Sequence, residues 1–178
     1  MNAGLLWVVV GLGLAVLLTY AQMLKSVSAA PLLAPIPLFI WVPSMLLTIA
    51  SFIYMSWSWI WVEPENTNVL GMYILFYSGA VLYAPFTVVA TSQGRKTIWV
   101  LLALWLAAAG TIGLFVEACI VGKPLLVTAS CYVMLHHVFL DGIVWYARWN
   151  LEPLKLVSPP LFSLDGGLGL GQKNDDFI

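Results

Sequence analysis

Five long apolar runs, near residues 4–22, 38–62, 69–91, 97–121 and 124–147, leave this chain little choice of fold. Each approaches or exceeds the ~20 residues that a helix needs to cross a bilayer's hydrocarbon core. In hydrocarbon a backbone must satisfy its own N–H and C=O groups, and a helix does so within one segment. Composition agrees. The chain is 62% hydrophobic and 8% charged, where a soluble domain carries roughly 25% charged residues. So few charges cannot cover a water-facing surface. The expected fold class is all-α: an integral membrane bundle of five transmembrane helices over residues 1–150. A tail over 151–178, rich in Pro and Gly and without periodicity, is expected to be mobile and cytoplasmic.

The first run lacks the basic start of a signal peptide and exceeds the usual ~7–15-residue core, so it reads as an uncleaved span. Short connections predict that sequential helices pack as antiparallel neighbours. No repeat is long enough to suggest inverted transporter halves.

Orientation follows from the basic residues. Lys25 follows the first span, Arg95 and Lys96 join the third and fourth, and Arg148, Lys155 and Lys173 follow the fifth. Only Lys123 falls on the other side. Basic loops favour the cytoplasm, which predicts an outside or lumenal N-terminus and a cytoplasmic C-terminus. The net charge of −1 offers neither a nucleic-acid footprint nor a polybasic patch. The partner that composition demands is the lipid bilayer.

Trp57, Trp59 and Trp61 in "WSWIWVEP" are expected as headgroup anchors at the outer end, and Trp145 and Trp149 at the inner end. Pro43 and Pro85 fall inside spans, where each removes a backbone donor and opens space against a neighbour. In "AAAGTIG", Ala109 with Gly113 and Ala107 with Thr111 are small pairs four apart, which let another helix approach. Contact within the bundle and contact in a homo-oligomer or a larger membrane complex both fit that spacing. Cys119 and Cys131 are expected as free thiols, with an outer-side disulfide left open, and no metal-ligand spacing is visible. The terminal "DDFI" has the form of a weak PDZ-groove ligand.

Four ionisable groups lie inside the spans: Glu117, His136, His137 and Asp141. Such groups are costly in hydrocarbon and mark functional hypotheses. Glu117 lies about one turn from its outer helix end, whereas Asp141 lies roughly 25 Å deep at 1.5 Å per residue. A shared carboxylate reaction is therefore not expected. His137 and Asp141 are four apart and share a helix face. His136 points about 100° away, unless the helix is irregular near Gly142. The pair reads either as an internal lock between helices or as a ligand-binding pole. The string HHxxxDG also occurs in soluble acyl-transfer enzymes, but there it lies in a domain of several hundred residues. This chain lacks that context.

From the second span onward the chain resembles the translocator protein family, the TspO/MBR tryptophan-rich sensory proteins. "GMYILFYSGAVLYAPF" keeps aromatics at Tyr73 and Tyr83, with Phe76 and Ala80 where that family has Gln and Asn. "CYVMLHHVFLDGIVWYARWN" keeps Tyr132, a polar residue at Asp141, Trp145 and Asn150. "VWYAR" fits a loose sterol-recognition pattern through Val144, Tyr146 and Arg148. The family's WxPPxW loop survives as Pro35, Pro37 and Trp41. The resemblance implies a bundle that takes a tetrapyrrole or a sterol-like lipid from the membrane, with dimers and no settled catalysis. Tyr73, Tyr83, His137, Asp141, Trp145, Tyr146 and Arg148 are its candidate ligand-binding residues, and His137 is the candidate for a ligand carboxylate or a haem iron. No catalytic residue and no metal site are assigned. Two other classes stay open: a small sterol- or lipid-metabolising enzyme of the EXPERA type, using Glu117 and His137, and a structural subunit of a membrane complex.

Overall fold

A computed structural model of the chain describes residues 1–28, 38–93, 97–148 and 155–156. Five helical spans dominate: α1 (Ala3–Ser26), α2 (Leu38–Trp57), α3 (Asn68–Ser92), α4 (Ile98–Val121) and α5 (Pro124–Leu135). Two of them run on as π-helix: Ser58–Val62 extends α2, and His136–Trp145 extends α5 before a last turn, α6 (Tyr146–Arg148). With these extensions, five segments are long and apolar enough to cross a membrane. The remaining regular structure is one short antiparallel ladder, β1 (Val27–Ser28) with β2 (Lys155–Leu156). It joins the exit of the first span to the chain beyond the fifth, so both lie at one end of the bundle. At Lys155 and Leu156 the tail is thus paired rather than loose. Its other residues, "DDFI" included, lie outside the described residues, as do Pro35, Pro37, Arg95, Lys96, Trp149 and Asn150.

Helix order in space departs from helix order in sequence. α3, α4 and α5 pack in sequence, but α1 lies chiefly against α3, and α2 lies chiefly against α5. On a methyl-sized test, a side chain at Gly79 would strike the backbone of Ala103 and Ala107, and one at Gly110 would strike the backbone of Met72 and Phe76. Two glycines pointing in opposite directions bring these helices together at backbone distance. In lipid, such van der Waals contact replaces the hydrophobic drive that water would supply. The small-residue interface is therefore inside the bundle. It runs through Ala103, Ala107, Gly110 and Thr111, all buried, while Ala109 is exposed.

The end opposite the ladder is tied by polar groups. The Asn2 side chain accepts from the Leu5 N–H at 3.0 Å and caps α1, while the Asn2 N–H donates to the Ile60 carbonyl at 2.8 Å. Asn66 donates to the Glu117 carboxylate at 2.6 Å, with Asn68 at 3.4 Å. Lys123 pairs with Glu63 at the same end. Gly122, at φ 70°, ends α4 in the left-handed region, and Pro124 opens α5.

The tryptophan expectation needs one correction. Trp57 and Trp61 face outward with ring centroids 5.5 Å apart, as anchors would, but Trp59 is fully buried. It packs in the main core with Met55, Val69 and Leu126. Alternate residues of one helical turn cannot share a face. Both cysteines are free thiols.

Candidate functional site

The seam that α1 and α2 leave between them is a cleft of about 680 Å³. Val9, Gly13 and Val16 line it from α1, Thr48, Ile49 and Phe52 from α2, and Phe76 and Tyr77 from α3. Its wall is overwhelmingly apolar. Ile49, Ile53, Leu14 and Leu17 are also exposed on the outer flank, so the cleft opens sideways from the bundle. His136 and His137 complete the wall.

The irregular helix sets the geometry of that polar end. A π-helix bonds i to i+5 and widens the turn beyond four residues. Positions four and five ahead then both lie close above a given residue. Asp141 is five after His136 and four after His137, so its carboxylate falls between the two rings. Nδ1 of His137 donates to Oδ2 of Asp141 at 3.0 Å, and Nδ1 of His136 stands 3.7 Å from the same oxygen. This corrects the expectation that His136 turns away. That expectation holds for an α-helix, and the chain is not one here. Gly142, suspected of loosening the helix, lies inside the π segment. The His137 ring leans on Phe76 at 5.0 Å between centroids. His136 is 8% exposed, and neither of its ring nitrogens has a hydrogen-bond partner. One donor atom from each of His136, His137 and Asp141 lies within 4.8 Å of the others.

The other candidates scatter. Tyr73 is fully buried behind the cleft, where its hydroxyl shares a 2.9 Å hydrogen bond with Ser56 and its ring meets Phe52. Tyr83 lies in a separate cluster with Met23, Val88 and Val100, 5.9 Å from Tyr20, and Tyr146 packs against that cluster. The backbones of Trp145 and Arg148 end the π segment and α6; their side chains lie outside the described set. Glu117 belongs to the polar clasp with Asn66 and Asn68 at the end opposite the ladder. It precedes the turn at Gly122, whereas His137 follows that turn by 15 residues, on the order of 20 Å of helix. An acid–histidine pair of the sterol-isomerase type is therefore not assembled from Glu117 and His137.

A smaller cavity of about 320 Å³ lies between α1 and α3 in the opposite half. Thr19, Gln22 and Met23 face Ala84, Pro85 and Val88 across it. Sequence reasoning missed the main cleft's wall. Val9, Gly13 and Ile49 carry no signal beyond hydrophobicity, and only the spatial order of the helices brings them together.

Comparison with protein-family models, with curated proteins and with solved structures finds no match to this chain.

Proposed function

We propose that this multi-pass membrane protein binds an apolar small molecule drawn from the bilayer, with one polar group of that molecule held at His137, which Asp141 orients. The carrying observation is the α1–α2 cleft with two histidines set into an otherwise apolar wall. Ligand sites are usually cavities of ~300–1,000 Å³, mostly apolar, with few polar groups to orient the ligand. The cleft has that size and that makeup. Its sideways opening supports entry from lipid. The resemblance to the translocator protein family points to the same ligand classes, a sterol-like lipid or a tetrapyrrole. With a neutral imidazole beside the Asp141 carboxylate, His137 donates through Nδ1 to Asp141. That fixes the tautomer and leaves Nε2 to accept from a ligand hydroxyl. A sterol, with a rigid apolar body and one hydroxyl, fits this division of labour.

Titration of the detergent-purified protein with a fluorescent sterol and with protoporphyrin tests the proposal. Saturable one-to-one binding is expected. Ile49→Trp, which fills the cleft, should weaken it at least tenfold. His137→Ala should weaken it about fivefold, the equivalent of one hydrogen bond of ~1 kcal/mol. Binding that Ile49→Trp leaves intact would place the ligand elsewhere.

A further inference from the structure

We propose that His136, His137 and Asp141 form a binding site for one divalent first-row transition-metal ion. Two histidines and a carboxylate are the donor set of open zinc and non-haem iron centres. Donors about 2.0–2.2 Å from a shared ion stand roughly 3–3.5 Å apart. The two Nδ1 atoms, at 3.0 and 3.7 Å from Oδ2 of Asp141, bracket that range.

His136 supplies a second and independent observation. Its ring is more than nine-tenths buried, leans toward the Asp141 carboxylate, and has both nitrogens unpaired. A buried polar group without a partner is costly. An ion accepting the Nδ1 lone pair removes that cost at Nδ1. On binding, His137 shifts its proton from Nδ1 to Nε2, which gives up the hydrogen bond to Asp141 and frees an Nδ1 lone pair for ligation. The ionised Asp141 neutralises half of the dication's charge. π-Helical segments recur at functional sites. Here the widened turn brings neighbouring histidines, about 100° apart on an α-helix, to a common carboxylate. Both histidines also line the cleft, with the His136 nitrogens buried behind its wall. The site does not depend on the apolar ligand and is tested with metal alone.

The full chain, purified in mild detergent and stripped with a chelator, is titrated with Co²⁺ while visible absorption is recorded. One saturating equivalent with ligand-field bands is expected, displaced by Zn²⁺. Asp141→Asn and His136→Leu should each weaken binding at least tenfold. His136→Leu removes a ring that makes no hydrogen bond, so it keeps the fold, which helical circular dichroism verifies. The Cys119→Ser, Cys131→Ser double variant should bind like the parent. Absence of a saturable single equivalent, or binding that His136→Leu and Asp141→Asn leave unchanged, overturns the proposal.

Discussion

His137 and Asp141 meet because they are four residues apart, and that spacing is visible in the letters. The same counting rule misplaces His136. No residue type marks a π-helix, so the step from 3.6 residues per turn to a wider one escapes it. The tryptophans repeat the lesson. Trp57, Trp59 and Trp61 look equivalent in sequence, yet Trp59 fills the core while its neighbours face outward. Trp59→Ala should cost about 3–5 kcal/mol, the usual loss for a buried aromatic. Trp57→Ala should cost well under 1 kcal/mol. Reversible unfolding in mixed micelles measures both; equal losses would contradict the assignment. At the polar clasp, Glu117→Gln keeps the shape but weakens the charge-assisted bond from Asn66. A loss of about 1 kcal/mol is expected in the same assay. No loss of sterol binding should accompany it, since Glu117 is remote from the cleft.

Among the elements, the five spans were legible because length and apolarity define them, and their bounds agree to within a few residues. Their neighbours were not. α1 packs on α3 rather than α2, and that displacement creates the cleft. Of the two small pairs in α4, Ala107 with Thr111 lies in the interface beside Ala103 and Gly110, whereas in the other pair Ala109 faces outward and Gly113 adjoins Met72. Gly79 on α3 makes the reciprocal approach. Gly110→Val and Gly79→Val should each destabilise the bundle by about 1–3 kcal/mol through overpacking, or more where the backbones cannot part. Ala109→Val, on an exposed position, should be within ~0.5 kcal/mol of the parent. Tolerance of valine at Gly110 would show that α3 and α4 do not meet at backbone distance.

For the whole molecule, the short ladder between Val27–Ser28 and Lys155–Leu156 fixes which loops share an end. That end carries Lys25 and Lys155, while Lys123 is paired with Glu63 at the other. Basic loops favour the cytoplasm, so protease added outside intact cells should spare the tail beyond Lys155, and cleavage there would reverse the orientation. The cleft lies on the flank that such a bundle turns to lipid, and the histidine pair is set into its wall. Site-resolved photolabelling tests this arrangement most directly. A diazirine-bearing sterol is crosslinked to the protein in a bilayer, and the labelled peptides are mapped with and without excess unlabelled sterol. The account predicts competable labelling concentrated on Val9–Leu17 and Thr48–Ile53, the two faces of the cleft. Labelling spread evenly over all lipid-facing helices, and indifferent to competitor, would contradict it.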